Sequence, residues 1–362
     1  MTAAALPESV AAADATAIGS VVESLLIGFL DEQERTAADL AELTLFTGLL
    51  RDLLAAGGKR VRPALCVAGW RAVSDDPPPM AVWLTAASLE LFHTFALIHD
   101  DIMDRSELRR GRPTAHRVLA KRLAGHRDAD ALGVHVAMLL GDIALGWSYE
   151  LLHGADFTAA QLAAVRPVLN ALRTETMIGQ YLDLAASGRA APDGAAGTAW
   201  RIIRYKTTRY TFERPLQLGA LLAGASGEQL DALSAFALPM GDAFQLRDDV
   251  LGVFGDPGIT GKGTLEDLRE GKQTLLITTA YERAAPAQAR TLRRLLGNRR
   301  LGHQDAATVR RILTETGARD AVEQLIAELG LQALTALDAP VLRPSAAAML
   351  REIARAVSDR PA

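Results

Sequence analysis

Apolar residues recur every three or four positions along most of the chain, as at Val21, Leu25, Phe29 and Leu30. This spacing follows one face of an α-helix, which has about 3.6 residues per turn. Alternating runs of Val, Ile and Thr, which indicate strands, are missing from the sequence, and Ala and Leu dominate. Several segments are apolar on most faces, as in helices inside a bundle. The pattern therefore predicts an all-α fold.

Turn-forming stretches rich in Gly, Pro and Ser divide the predicted helices. None of them is a long polar linker, so we expect one domain over residues 36–362, preceded by a peripheral N-terminal helix or extension in residues 1–35. The stretches are residues 74–79, 125–133, 187–197, 255–263 and 297–302.

Composition narrows the function classes. The chain has 362 residues, 49% of them hydrophobic and 23% charged, which is enough for a large core. A net charge of −4 argues against nucleic acid as a partner. The best apolar stretch, residues 81–98, is interrupted by Glu90 and His93, so no transmembrane segment is expected. No Lys or Arg precedes Arg35, so no signal peptide is expected, and the single cysteine, Cys66, fits a cytoplasmic location.

The first acidic cluster is Asp100, Asp101 and Asp104, directly after the apolar segment 84–98. On a helix, Asp100 and Asp104 stand one turn apart on the same face. Three carboxylates at that spacing repel one another unless a cation lies between them, and oxygen ligands suit Mg²⁺. A solvated acidic helix end is the alternative interpretation of this cluster taken alone.

The second acidic cluster, Asp248 and Asp249, follows the apolar segment 230–244. Half-buried carboxylates are costly unless they are paired or bound to metal. Two acidic clusters that end two apolar helices therefore predict two jaws that hold Mg²⁺ ions and a diphosphate between them.

Cationic and polar residues complement the acidic clusters. Glycines and prolines flank the runs Gly57–Pro63 and Arg109–Pro113, whose Lys and Arg side chains suit phosphate oxygens. A solvated basic face is the simpler interpretation of any one such run. His93 lies seven residues before Asp100, on roughly the same helical face. The other candidates are Gln180, Asp183, Lys206, Thr207, Gln245, Lys262 and Lys272.

The order and spacing of these motifs resemble the trans-isoprenyl diphosphate synthases, also called polyprenyl synthetases. Between residues 57 and 272 the chain contains GGKRVRP, HDDIMD with RRGRPTAH, MIGQYLD, YKTTRY, and FQLRDD followed by GDPGITGK and EGK. The resemblance implies a helical bundle around a central cavity (the isoprenoid synthase fold), usually a homodimer. It also implies Mg²⁺-dependent condensation of isopentenyl diphosphate with an allylic diphosphate such as dimethylallyl, geranyl or farnesyl diphosphate.

The same resemblance assigns roles to individual residues. Five aspartates are the implied ligands of three Mg²⁺ ions: Asp100, Asp101, Asp104, Asp248 and Asp249. The implied allylic-diphosphate site contains Arg109, Lys206, Thr207, Gln245 and Lys262, of which Lys206, Thr207 and Gln245 are the catalytic candidates. The implied isopentenyl-diphosphate site contains Lys59, Arg62, His93 and Arg110, with Lys272 near the second diphosphate and Gln180 a further substrate-binding candidate.

One position departs from the family pattern. Many members have a third aspartate three residues after the second acidic pair, where this chain has Gly252. Asp256 and Asp267 are the candidates to supply the missing carboxylate.

Product length is predicted from the helix that carries Asp100. One helical turn rises about 5.4 Å, close to one isoprene unit. Ala96 leaves the first turn toward the helix N-terminus open, while Phe95, and Phe92 beyond it, would close the path of the growing chain. The family pattern of an aromatic residue five positions and a small residue four positions before the motif favours geranylgeranyl diphosphate (C20), with farnesyl (C15) or longer products as alternatives.

Two rival classes share parts of this pattern. A terpene cyclase needs an Asn/Asp–Ser/Thr–Glu motif, and neither of the two asparagines, Asn170 and Asn298, begins one. A non-catalytic subunit that modulates another synthase is expected to have lost an acidic motif or the Lys/Arg set, and only the position of Gly252 departs here.

Overall fold

The computed structural model describes residues 15–188, 195–255 and 265–358. Most of these residues are helical, as predicted. The helices up to residue 186 are α1 (Ala15–Thr36), α2 (Leu43–Ala55), α3 (Val61–Arg71), α4 (Met80–Asp104), α5 (Ala115–Arg122), α6 (Ala129–His153) and α7 (Ala159–Ala186).

The second half of the chain contains one helix of unusual type. A π-helix, π1 (Ile203–Glu213), follows α8 (Ala195–Ile202) and runs directly into α9 (Arg214–Leu222). The remaining helices are α10 (Gly227–Phe254), α11 (Glu266–Glu270), α12 (Leu275–Arg283), α13 (Pro286–Leu295), α14 (His303–Glu315), α15 (Ala318–Ala336) and α16 (Pro344–Ser358).

The chain forms two compact units. The first contains Met1–Val168, Pro215–Leu230 and Pro340–Ile353, and the second contains Leu169–Arg214, Asp231–Ala339 and Ala354–Ala362, as far as these ranges are described. Helices α7 and α10 each contribute residues to both units. The predicted boundary between residues 35 and 36 stays a prediction.

The core of the first unit is built around α4. This helix packs against α6 and α3, and α1 packs against both α3 and α4. Every residue of α4 from Ala81 to Phe92 is buried, which explains its nearly uniform apolar composition. Cys66 is buried in α3, and desolvation raises the pKa of its thiol to about 12. This cysteine is therefore a small core residue and not a reactive thiol.

The core of the second unit collects one apolar side of several helices. Leu246 and Val250 of α10 pack with Leu276 of α12, Leu292 of α13 and Val309 of α14. The first turn of α12 is capped by Thr274, whose hydroxyl accepts a hydrogen bond from the Ile277 amide (3.3 Å). Leu246 and Val250 thus anchor α10 in the core of the second unit.

Three local expectations need correction. Residues Leu108–Arg109 and Arg112–Pro113 form a two-stranded antiparallel hairpin where only helices and turns were expected. Gly133 lies inside α6 and not in a break between helices. The second acidic cluster lies inside α10, because this helix continues to Phe254 and does not end near Phe244. The expected break at residues 255–263 falls almost entirely outside the described residues.

Two described helices, α4 and α6, are long and apolar enough for a membrane span by length and composition alone. The most apolar window of α4 is 83% buried within the protein, as expected of a core helix, whereas that of α6 is 28% buried.

Candidate active site

The first acidic cluster forms the last turn of α4. Arg109 of the hairpin binds two of its carboxylates, with Nε donating to Asp101 Oδ1 (2.7 Å) and Nη2 to Asp100 Oδ2 (2.9 Å). Asp101 is buried, while Asp100 and Asp104 are half-buried. The sequence assigned Arg109 to a diphosphate, and the structure places it against the carboxylates predicted to hold Mg²⁺. The predicted diphosphate-binding arginine and the predicted metal-binding aspartates are thus in contact within the first unit.

The hairpin turn brings a second arginine over the Gly57–Pro63 loop. Arg110 and Gly111 have positive φ angles of 53° and 73°, which suit a tight two-residue turn. The Arg110 guanidinium packs against Gly58, and its Nη2 atom lies 3.0 Å from the position that a Cβ at residue 58 would take. A side chain at residue 58 would therefore displace this guanidinium from the loop.

His93 lies among four arginines. Desolvation lowers its pKa well below 6.5, and the charges of Arg62, Arg110, Arg109 and Arg60 lower it further. The imidazole is therefore neutral at physiological pH and can donate one hydrogen bond and accept another. Arg60 is itself neutralised by a buried ion pair with Glu90. The predicted members Arg62, His93 and Arg110 thus belong to one basic region, and Lys59, which is exposed, directly precedes Arg60 in the chain.

A chain of hydrogen bonds links π1 to the second acidic cluster. Thr207 Oγ1 donates to Gln245 Oε1 (2.6 Å), and Gln245 Nε2 donates to Asp249 Oδ1 (2.8 Å). Lys206 Nζ donates to Asp183 Oδ2 of α7 (2.6 Å). The three catalytic candidates, Lys206, Thr207 and Gln245, therefore lie together in the second unit.

Close packing of α7 against π1 places Lys206. A Cβ at Gly179 would collide with the backbone of Lys206, so only glycine lets these helices approach so closely. Gln180 follows Gly179 and is half-buried. The MIGQYLD motif thus supplies both the contact and the carboxylate of Asp183.

Asp249 lies in an environment that disfavours its charge. Burial raises the pKa of Asp249 to about 8, the hydrogen bond from Gln245 opposes this rise, and the charges of Asp267, Asp248 and Asp183 add to it. A nearby cation would reverse the effect of these carboxylates. The site therefore has the electrostatic character of a cation site.

The departure at Gly252 has a structural counterpart. The Asp267 carboxylate occupies the space that a Cβ at residue 252 would need. Lys272 donates to Asp267 Oδ1 (3.2 Å) and pairs with Glu270 (3.0 Å). Asp267 therefore brings a carboxylate to the second cluster beside Asp249, and Lys272 lies in the same group. Lys262 and Asp256 are outside the described residues.

The carboxylate oxygens of the two acidic clusters are suitable ligands for Mg²⁺, but neither cluster supplies a complete coordination shell. In the described part of the chain, no three His, Cys, Asp or Glu side chains are grouped to hold an ion by themselves. Mg²⁺ usually takes one or two carboxylates and completes its shell with water and substrate phosphates. Each cluster provides that partial, oxygen-only set.

Sequence reasoning missed the residues that anchor π1. Asp242 is buried and accepts hydrogen bonds from Thr208 Oγ1 (2.6 Å) and Arg204 Nη2 (2.6 Å). On the C-terminal side of Lys206 and Thr207, Arg209 and Arg214 donate hydrogen bonds to Glu175 of α7 (2.7 Å and 2.8 Å). The sequence did contain one indication of this anchor: Asp242 lies three residues before Gln245 in an apolar helical segment, and a buried charge needs a partner.

The residue expected to limit product length is enclosed by aromatic rings. Phe95 is buried between Phe92 (ring centroids 5.4 Å apart) and His99 (4.7 Å). His99 is held by its Nδ1 atom 3.2 Å from the Phe95 carbonyl oxygen. Ala96 is half-buried beside them.

Comparison with known proteins bears directly on this site. A sequence model of the family described as polyprenyl synthetase matches residues 44–315, which include all the predicted site residues. The geranylgeranyl diphosphate synthase of Methanosarcina mazei is 32% identical over 76% of this chain and 78% of its own length. A (2E,6E)-farnesyl diphosphate synthase of Mycobacterium bovis is 33% identical over 84% of this chain and 80% of its own.

Solved structures agree with the sequence matches. A geranylgeranyl pyrophosphate synthase of Corynebacterium glutamicum, complexed with isoprenyl diphosphate and magnesium, superposes with a TM-score of 0.90 at 39% identity, covering 96% of this chain and 100% of that chain. A geranylgeranyl pyrophosphate synthetase of Pyrococcus horikoshii has a TM-score of 0.79 at 26% identity, covering 94% and 96%. With the motifs in order and the all-α fold in common, this chain belongs to the polyprenyl synthetase family and is a prenyltransferase.

Proposed function

We propose that the enzyme condenses isopentenyl diphosphate head to tail with an allylic diphosphate, depends on Mg²⁺, and makes geranylgeranyl diphosphate. The observation that carries this proposal is the contact chain from Asp249 through Gln245 to Thr207, beside Lys206. It joins a carboxylate suited to a cation with polar groups suited to a developing positive charge.

Five aspartates would hold the metal, and the resemblance implies three ions per site. When bound, Mg²⁺ would offset the negative charge that develops on the departing diphosphate. The residues are Asp100, Asp101 and Asp104 in the first cluster and Asp248 and Asp249 in the second, with Asp267 beside them.

The reaction needs three events, and this chain has residues for the first two. The allylic C–O bond breaks, and its electron pair leaves with the diphosphate, whose charge the guanidinium and ammonium groups of Arg109 and Lys206 offset. The backbone carbonyls of Lys206 and Thr207 and the Gln245 side chain stabilise the allylic cation. The double bond of isopentenyl diphosphate then forms the new C–C bond, and a proton passes to pyrophosphate.

Aspartate variants test the metal proposal. Asp100→Ala and Asp248→Ala should each lower turnover by about a thousandfold or more, because each removes a carboxylate from a predicted metal ligand set. Asp231→Ala, an exposed carboxylate on the same helix as Asp248, is the control and should keep normal turnover. Near-normal rates in either of the first two variants would refute the role of that cluster.

The C20 product is supported by Phe95, whose enclosed ring cannot move aside without displacing Phe92 or His99. Relatives of similar identity carry the names of farnesyl and geranylfarnesyl synthases, so the products of variants decide the length. Phe95→Ala should shift the dephosphorylated product, separated by chromatography, to longer chains. Phe29→Ala removes another buried ring of the first unit and should leave the product unchanged. An unaltered product profile in Phe95→Ala would show that Phe95 does not close the path.

A homodimer is supported by exposed apolar side chains on two helices. Met138 (44% exposed) and Leu139 (55%) lie on α6, and Ile178 (47%) and Tyr181 (64%) lie on α7. The most apolar window of α6 is only 28% buried, and a large exposed apolar face is rare on a monomeric protein. Leu139→Glu should therefore lower the mass measured by analytical ultracentrifugation, whereas Leu331→Glu on α15, also exposed, should not. A dimer unaffected by Leu139→Glu would exclude α6 from the interface.

A cytoplasmic location is the remaining part of the proposal. It is supported by the cysteine content, because a single cysteine cannot form a disulfide within the chain.

A further inference from the structure

One segment of this acidic protein is strongly basic. From residue 283 to residue 304 the chain has six arginines and neither Asp nor Glu, although the protein as a whole has 43 acidic and 39 basic residues. All six are exposed, and the five from residue 290 onward form what we call the basic face: Arg290, Arg293, Arg294, Arg299 and Arg300.

Buried leucines hold the basic face outward. Leu292 and Leu295 of α13 are in the core of the second unit, so the arginines of this helix lie on its solvent side. Leu301 is buried after the turn that carries Arg299 and Arg300. The turn is fixed further by Asn298, whose side-chain oxygen accepts from the Arg300 amide (3.0 Å). The charges are therefore presented by ordered backbone.

The basic face lacks the neutralisation seen elsewhere in the second unit. Arg311 pairs with Glu315 (2.8 Å) and Arg247 with Glu323 (2.6 Å). Across the described ranges, no carboxylate lies within ion-pair distance, 4.0 Å, of any of the five guanidinium groups of the basic face. Their combined charge is therefore directed to solvent.

Hydrogen bonds join the turn of the basic face to α11. The Gly297 amide donates to the Leu268 carbonyl oxygen (2.9 Å), and Arg269 Nη2 donates to the Leu301 carbonyl oxygen (2.9 Å). Leu268 and Arg269 follow Asp267 in α11. An anionic surface bound at the basic face is thus connected through one short helix to the proposed catalytic centre.

The chemistry of the basic face suits phosphate groups. Guanidinium groups bind phosphate oxygens in pairs, and clusters of four to eight basic residues on an amphipathic helix favour anionic lipid. The net charge of −4 disfavours nucleic acid. A prenyl product has a long hydrocarbon chain that is poorly soluble in water, so the reaction that consumes it is expected at a bilayer.

We propose that the basic face docks the enzyme on an anionic phospholipid surface, where the prenyl product leaves for the bilayer. The docking stands on the basic face alone, and only its use in product release rests on the proposed function. Because the apolar side of α13 is buried in the core, binding is electrostatic and does not insert the helix.

Sedimentation with lipid vesicles tests the docking without any substrate. The wild-type protein should bind phosphatidylcholine vesicles that contain about 30% phosphatidylglycerol, should not bind pure phosphatidylcholine, and should dissociate as salt rises to about 0.5 M. The variant Arg293→Gln/Arg294→Gln/Arg299→Gln/Arg300→Gln should bind roughly a hundredfold more weakly. Its turnover with dissolved substrates should equal that of the wild type.

A matched variant controls for net charge. Arg122→Gln/Arg127→Gln/Arg201→Gln/Arg355→Gln removes four exposed arginines from elsewhere and should keep vesicle binding. Equal loss in both variants would show that total charge matters and the basic face does not. The proposal would be overturned if the wild type bound neutral vesicles equally well or bound no vesicles. It would also be overturned if the basic face bound duplex DNA and not vesicles. An inactive wild type that still binds vesicles would refute the catalytic proposal and leave the docking intact.

Discussion

At the scale of single residues, Asp267 and Gly252 share one space. The Asp267 carboxylate lies where a side chain at residue 252 would begin, beside the buried Asp249. An aspartate at residue 252 is therefore compatible with this site only if Asp267 moves. The structure supports the interpretation that Asp267 supplies the carboxylate that Gly252 lacks.

This pairing predicts the outcome of a two-residue exchange. Asp267→Ala should raise the Mg²⁺ concentration that gives half-maximal turnover by about tenfold, because one carboxylate leaves the cluster. Gly252→Asp should also lose activity, since two carboxylates then compete for one space. The double variant has a single carboxylate there and should recover part of the loss in a Mg²⁺ titration of turnover. A double variant no better than either single variant would contradict the exchange.

The sequence predicted the aspartates but not their partners. Asp100, Asp101, Asp248 and Asp249 could be proposed as metal ligands because their spacing and their place after apolar segments have a physical meaning. The contact of Arg109 with Asp100 and Asp101 depends on a two-residue hairpin turn, and hydrophobic periodicity carries no information on so short a strand pair.

At the scale of elements, π1 is the feature that sequence pattern could not reveal. A π-helix differs from an α-helix in its hydrogen-bond register, and long π-helices are rare, so periodicity predicts an ordinary helix. Its 11 residues, Ile203–Glu213, carry the catalytic candidates Lys206 and Thr207. Such a helix needs side-chain anchors, which the structure shows at Asp242 and Glu175.

The Asp242 anchor yields a prediction on both stability and rate. Asp242→Ala leaves the buried Thr208 hydroxyl and Arg204 without their acceptor and should lower the free energy of unfolding by about 2–3 kcal/mol. Turnover should fall as well, because Thr207 lies between these residues. Asp242→Asn keeps an acceptor for Thr208 and should be less severe. Urea unfolding and turnover, measured together, check this. Wild-type turnover in Asp242→Ala would separate the anchor from catalysis.

The Glu175 anchor predicts a dependence on pH. Burial favours a raised pKa for Glu175, but hydrogen bonds and charges of Arg214 and Arg209 hold it below 4.5. Because the folded pKa is lowered, the contribution to stability is complete above the unfolded pKa of about 4.3 and is lost as pH falls through the folded value.

Glu175→Gln isolates this contribution. At pH 7, the free energy of unfolding of the variant should be about 1–3 kcal/mol lower than that of the wild type. This difference should shrink below about pH 4, as the wild-type carboxyl becomes protonated. Denaturant unfolding across pH measures it. A difference that is the same at pH 7 and at about pH 3 would show that the ion pair contributes nothing to stability.

At the scale of the whole molecule, the all-α class followed from periodicity alone, because both cores collect apolar helix faces with 3.6-residue spacing. Tertiary organisation did not follow. The two compact units interleave along the chain, and Pro215–Leu230 belongs with the first unit although it follows π1 of the second. Contacts between segments so distant in sequence have no local signal.

Ligand-linked stability extends the predictions to the whole chain. Mg²⁺ with pyrophosphate should bind the folded state alone and raise the melting temperature by roughly 3–5 °C at about a hundred times the dissociation constant. If both acidic clusters act on one diphosphate, as the sequence predicts, Asp100→Ala and Asp248→Ala should each lose most of this shift, because either change removes part of the same site. Asp231→Ala should keep it. A full shift retained by one of the two variants would show that its cluster takes no part in binding the ligand, and would limit the magnesium–diphosphate site to the other cluster.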